Sequence, residues 1–475
     1  MLSRRAHRRA RVSRTLATGS IALAVVLAGS CGGARAADAV DDIVAAELAR
    51  RNIPGAVVAV LKNGILIKTA AYGFTDLTRS TPVTVDTVFR LQSISKQFTA
   101  TAVMMLIEEG KIRLDGLVKT YIEATPAAWD TMTVRHLLTQ TSGLRDFVNE
   151  AARDLTLEAT EGEWLASVAS QSLKFRPGAQ WDYSNTNYLV LGAIIRKVTG
   201  QWYGDTLATR IFEPLGMTRT SIARDRDAAA KGFTRSQGGV LPSRADATLA
   251  MSVLSYAGGG VQSTVMDLAK WEMALRAGRL LQRESFQQMW TPGTLNDGTK
   301  TRYGFGWEID AVGSHRHIWH AGIWTGFAAQ IDRFPDDDLS VIVLTNLDDA
   351  APDRISRAVA AAFVPGLAAP RDEAISDREP AVTARLQDVL RRGAEGTLRQ
   401  EDFTPSLWTY LSGNAAQVQR DFVSLGTIQN LTLVERTAED GSRSYRYRAR
   451  FPKITLLYHF VLVPDGRIAV MIPEP

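Results

Sequence analysis

The chain has 475 residues, 45% hydrophobic and 22% charged. That balance excludes a disordered or fibrous protein and leaves material for two or three sizeable cores. The formal charge is +5, and Arg4, Arg5, Arg8, Arg9, Arg11 and Arg14 crowd the start. This removable basic cluster explains the positive charge better than a nucleic-acid surface does, so no nucleic-acid partner is expected.

The arginine-rich start leads into the apolar stretch Ile21–Ala28 and then Ala34-Arg-Ala36. These are the three parts of a signal peptide, residues 1–36, cut after Ala36. The apolar run is too short to span a bilayer, and no later segment is long and apolar enough. Repeated Arg-Arg pairs leave a twin-arginine route open. The only cysteine, Cys31, follows Leu27-Ala-Gly-Ser30, so a lipid anchor at Cys31 is the lesser alternative. The expectation is an exported protein, periplasmic or secreted, whose mature form has no disulfide.

Residues 39–51 carry apolar positions at Val40, Ile43, Val44 and Leu48, a helical pattern that Pro54-Gly55 ends. Ala56–Leu61 and Ile65–Ala70 flank Lys62-Asn-Gly64 and read as a β-hairpin. A helix-rich stretch from about 93 to 295 includes Leu189–Val198, Ser263–Arg276 and Glu284–Trp290. Strand patterns return at Tyr303–Ile309, His315–His320, Phe327–Phe334 and Leu339–Asn346, and a helix over Arg354–Phe363 closes the unit. This order predicts an α+β domain over 39–365: an antiparallel sheet flanked by terminal helices, with a mostly helical subdomain inserted. The groove between the two is the expected pocket. Residues 366–380, rich in Ala, Pro and charge, read as a linker. Residues 381–475 read as a small α+β domain, with a helix over Leu386–Arg391 and several strands. Tyr445–Phe451 alternates strictly, the mark of a half-buried strand. That domain holds no motif with readable chemistry.

Three motifs carry chemistry. Ser93-Ile-Ser-Lys96 opens an apolar helical run. A helix beginning near Ser93 puts Lys96 one turn along on the same face, while Ser95 points elsewhere. A buried lysine can lose its proton near neutral pH and serve as a base. Tyr183-Ser-Asn185 stands just before another apolar helix. Beside a lysine ammonium the phenol of Tyr183 should lose its proton more readily, and the Asn185 amide could bind a substrate carbonyl. His320-Ala-Gly322 lies near a strand end. Gly322 would let a substrate backbone approach, and the next N–H, on Ile323, could join that of Ser93 around an oxyanion. Taken singly, each motif is equally an N-cap serine with a surface lysine, a polar loop, and a strand-end histidine beside a turn glycine.

Together and in this order the motifs resemble the penicillin-recognising serine hydrolases: class C β-lactamases, serine D-alanyl-D-alanine carboxypeptidases and related esterases. Arg135–Leu144, Tyr303–Trp307 and Ala257–Thr264 are similar to phrases of that family, and the likeness covers roughly residues 39–365. The resemblance implies an acyl-enzyme on Ser93, with Lys96 and Tyr183 sharing acid and base work. It places Asn185 on the acyl-side amide and implies no cofactor. The partner would be a small-molecule or peptide substrate. His320 stands where class C β-lactamases usually carry lysine. Lysine is a permanent cation suited to a β-lactam or peptide carboxylate, whereas histidine is largely neutral at pH 7. Within the family, His-x-Gly resembles some carboxypeptidases and esterases more than dedicated β-lactamases. Gln140 also departs from the family, which more often has histidine there, and is expected to be structural.

Two other classes compete. His315-x-His317 with His320 close by would make a metal-dependent hydrolase, although His320 should face the opposite side of a regular strand. A non-catalytic muropeptide-binding module on the same fold is the other. No Gly-x-Ser-x-Gly elbow occurs in the chain, which argues against an α/β-hydrolase.

Overall fold

The computed structural model describes residues 26–123, 125–146, 160–222, 230–236, 239–242, 256–324, 326–368, 374–439, 441–452 and 454–474. Helix α1 runs Val26–Arg51, well upstream of the expected start at 39, because no proline interrupts this alanine-rich stretch. Val40 and Val44 are fully buried, and Ile43 and Leu48 pack beside them. The helix stops at Asn52, whose φ is +50°, and Pro54 cannot resume it.

Strands β1 (Gly55–Lys62) and β2 (Ile65–Gly73) form the expected hairpin. Asn63 at φ +54° and Gly64 at φ +75° supply the two left-handed positions of a tight turn. β3 (Glu308–Val312), β4 (His315–Trp324), β5 (Phe327–Phe334) and β6 (Leu339–Thr345) complete a six-stranded sheet in the order β2-β1-β6-β5-β4-β3. Every pairing is antiparallel. The predicted strand Tyr303–Ile309 is a correction: Tyr303–Trp307 is irregular, and only its end belongs to β3. Gly306 at φ +78° turns the chain there, and a Cβ on it would meet the Lys96 carbonyl oxygen at 2.6 Å.

One face of the sheet, with Val57, Ala59, Ile331, Ile342 and Leu344, packs into the inserted helical region. That region includes α2 (Ser95–Glu108), α3 (Asn185–Thr199) and α4 (Val265–Arg276). The other face, with Val58, Val60, Val341 and Val343, meets Val40 and Val44 of α1 and Ile355, Val359 and Ala360 of α5 (Pro352–Phe363). The sheet is thus apolar on both sides, which explains the continuous apolar runs of β1 and β6.

A third core is built only from residues beyond 380. Helices α6 (Pro380–Glu395), α7 (Pro405–Gly413) and α8 (Ala415–Leu425) pack on a four-stranded antiparallel sheet. Its strands β7 (Asn430–Glu439), β8 (Ser442–Arg450), β9 (Thr455–Leu462) and β10 (Ile468–Glu474) lie in sequence order. The alternation in β8 buries Tyr445, Tyr447 and Ala449. The far end of the segment read as a linker is docked. Ile375 N–H donates to the Leu433 carbonyl at 2.9 Å, and Glu379 pairs with Arg436 and Arg443. Among the described residues no helix is long and apolar enough to cross a membrane.

Candidate active site

Ser93 sits in a tight turn, Gln92–Ile94, just ahead of α2. The helix expected to begin near Ser93 begins at Ser95, because Gln92–Ile94 winds as a tighter 3-10 turn, with Gln92 at φ +52°. Such a conformation in a buried non-glycine residue is the kind of local strain that gathers at functional turns. The three-residue turn still stacks i on i+3, and Lys96 Nζ lies 3.1 Å from Ser93 Oγ. Ser95 is fully buried and its hydroxyl accepts from the Val261 N–H at 2.9 Å. The two serines are thereby separated as the spacing predicts, one half-exposed at the cleft and one a prop beneath it.

Lys96 is fully buried. Besides Ser93, its amine meets Asn185 Oδ1 at 2.8 Å and the Gly258 carbonyl at 2.7 Å. Burial pushes its pKa down to about 7, against the opposing pull of the Asp146 carboxylate. A neutral amine has two N–H groups and one lone pair. Gly258 O and Asn185 Oδ1 can only accept, so they take the two N–H groups. Ser93, the one partner with a proton to give, then faces the lone pair. The geometry suits transfer of the serine proton to the lysine.

Tyr183 corrects one expectation. Lys96 Nζ is 4.9 Å from its ring centroid, but the phenol pKa is raised rather than lowered. Burial outweighs the hydrogen bond to Ser93, and the carboxylates of Glu308 and Asp146 push the same way. Tyr183 therefore stays a neutral donor. Asn185, first residue of α3, accepts from Lys96 at Oδ1 and donates from Nδ2 to Asp146 at 3.1 Å, and Nδ2 carries a second N–H. Its loop hangs from the phrase around Gln140, a residue at φ +61°. Gln140 Oε1 accepts from Ser184 N–H and Asn187 Nδ2, and its carbonyl accepts from Asp182 N–H. The structural role expected for Gln140 is what these bonds describe.

His320 is buried in β4. Its Nδ1–H donates to the Ala321 carbonyl at 2.6 Å, and its Nε2 accepts from the Tyr303 hydroxyl at 2.9 Å. Burial, with the Lys96 charge acting in the same direction, lowers its pKa to about 3, so the imidazole is neutral. Gly322 has a different use from the one expected. A Cβ there would fall 2.0 Å from the Leu91 carbonyl oxygen, so the chain's own Ser93 turn, not a substrate, fills its missing side chain. β3 pairs with β4 only as far as Trp319, which leaves the upper half of β4 for that turn. Ile323 follows, 56% exposed at the rim.

The three imidazoles of the rival metal set engage separate partners. His315 meets Asp337, His317 lies between Asp310 and Asp332, and His320 meets Tyr303. Among the described residues no group of His, Cys, Asp or Glu is arranged to hold a metal ion. Asp146, the Gly258 carbonyl and Tyr303 were not legible as site residues, although Gly258 and Tyr303 sit inside phrases the sequence already singles out.

The beta-lactamase family model matches residues 40–365. Penicillin-binding protein 4* of Bacillus subtilis is 30% identical over 311 residues, 62% of this chain and 68% of that one. A D-aminopeptidase of Brucella anthropi is 31% identical over 304 residues, 63% of this chain and 57% of that longer protein. The crystal structure of D-amino acid amidase from Ochrobactrum anthropi SV3 complexed with L-phenylalanine has TM-score 0.60 at 25% identity, covering 68% of this chain and 98% of that one. The octameric penicillin-binding protein homologue from Pyrococcus abyssi shares the fold over 91% of this chain and 94% of its own, with TM-score 0.63 at 22% identity. The chain belongs to the beta-lactamase family of penicillin-recognising serine hydrolases.

Proposed function

We propose that this protein is an exported amide and ester hydrolase that works through an acyl-enzyme on Ser93 and prefers small D-amino-acid substrates to β-lactams. The observation that carries it is the Lys96 amine, whose two other partners can only accept, so that the Ser93 hydroxyl faces its lone pair. Ser93 Oγ attacks the carbonyl and its proton passes to Lys96. The N–H groups of Ser93 and Ile323 hold the oxyanion. Tyr183, a neutral phenol beside Ser93, hands a proton to the departing nitrogen or oxygen and is recharged from Lys96. Water then takes the reverse path and releases the acid.

The substrate preference is supported by His320. A β-lactam or a peptide C-terminus presents a carboxylate, and a neutral imidazole with both nitrogens engaged offers it no charge. Amides and esters need none, and two of the relatives are named D-aminopeptidase and D-amino acid amidase. Export is supported by the basic, apolar and Ala-Arg-Ala pattern of residues 1–36.

The test is a parallel assay on D-phenylalanine amide, p-nitrophenyl acetate, a D-alanyl-D-alanine peptide and nitrocefin, with Ser93→Ala as blank. Expected is turnover of the first two, with kcat/KM for nitrocefin lower by about tenfold or more. A fluorophosphonate probe should label the wild type and Ser95→Ala but not Ser93→Ala. Full turnover in Ser93→Ala, or loss of turnover with a chelator, would overturn the assignment.

A further inference from the structure

The Asn185 amide has two faces, and its orientation decides whether Lys96 meets an acceptor or a donor. Asp146, only 7% exposed, presents both carboxylate oxygens to Asn185 Nδ2, at 3.1 and 3.5 Å. A carboxylate can only accept, so it fixes Nδ2 on its own side and turns Oδ1 toward Lys96. Asp146 is held in turn by its chain neighbours. The Arg145 carbonyl accepts from Thr186 Oγ1 at 2.7 Å and from Ser184 Oγ at 3.2 Å, tying this segment to the start of α3. We propose that Asp146 is a positioning residue: through Asn185 it keeps an acceptor on the Lys96 amine and supplies the negative field under it.

The titratable side chains facing that amine, among the described residues, are few. Tyr183 and Tyr188 lie with ring centroids 4.9 and 5.6 Å from Nζ, and burial keeps both protonated. His320 on β4 is neutral, and the Tyr256–Gly259 turn contributes the Gly258 carbonyl. Asp146 is the charged group whose pull on Lys96 is felt. Its removal should make the ammonium easier to deprotonate and let the Asn185 amide turn over.

This inference rests on Lys96 acting as the base for Ser93. The experiment is the pH profile of kcat/KM for p-nitrophenyl acetate in the wild type, Asp146→Asn, Asp146→Ser and Asp146→Glu. In Asp146→Asn and Asp146→Ser the acidic limb moves to lower pH by about one unit. Their plateau kcat falls about tenfold while KM changes less than about twofold. Asp146→Glu, which keeps the charge, holds the limb near its wild-type position. A limb that stays put in the neutral variants, or moves as far in Asp146→Glu, overturns the positioning role. So does failure of both neutral variants to fold, which assigns the carboxylate to stability instead. If the wild type itself shows no Ser93-dependent turnover, it is the serine-hydrolase assignment that falls.

Discussion

Lys96 has been taken out of water and kept, and this has two pH consequences. In the proposed role of base for Ser93 it is competent only when neutral, so kcat/KM should rise as pH passes about 7. The second is on stability. An unfolded lysine holds its proton up to about 10.5, whereas the folded one has released it. Between those values the unfolded state binds more protons, so stability rises with pH across that window. Urea unfolding should show a gain of about 2 kcal/mol from about pH 7.5 to about pH 9.5 that Lys96→Met lacks. An identical slope in the two proteins would show that the lysine is not buried as described. At this scale the sequence was informative about identity and weak about partners. The i, i+3 spacing singled out Ser93 over Ser95, yet the state of Tyr183 was misjudged. Proximity to Lys96 is visible in a motif, whereas burial, the larger effect, is not.

The cleft is made where elements cross. The turn bearing Ser93 leans on β4, and the Tyr183–Asn185 loop hangs from the segment 138–146. Tyr188 Oη–H donates to the Leu138 carbonyl, and Gln140 takes three bonds from the loop. Gln140→Ala would leave the Ser184 N–H and the Asn187 amide without an acceptor. It should destabilise the protein by on the order of 2 kcal/mol, measured by thermal melting, and slow fluorophosphonate labelling of Ser93. Unchanged labelling would mean that the loop holds its place without the clamp. Most elements of the main sheet were legible because their apolar runs are continuous. The Tyr303–Trp307 segment was not, since Gly306 bends it for contact with the Lys96 backbone, a demand set from across the fold. Helices α7 and α8 escaped notice although Leu407, Trp408 and Leu411, and Val418, Phe422 and Leu425, stand at helical spacing and pack on the third core; only Leu411 and Phe422 are buried, the rest being partly covered.

For the whole molecule the N-terminus is the open end. The proposed cut after Ala36 falls inside α1, upstream of Val40 and Val44, which anchor that helix to the sheet. The export proposal therefore predicts that sequencing of the secreted protein begins at residue 37, with the anchoring turns intact. A start at a lipid-modified Cys31 would overturn it. The third core, carried by its own helices and sheet, was readable as a change of composition. Its purpose was not, because no motif in it carries readable chemistry. The close seating of the Ser93 turn against Gly322 has one more consequence. With a carbonyl oxygen occupying the space of a side chain, the Ser93 turn and β4 form a single wall, set when the chain folds. Beyond the neutral His320 on that strand, substrate choice is then expressed by the facing wall, Trp181 to Asn185 and the segment beneath it. That is where variants with new substrate ranges should be sought.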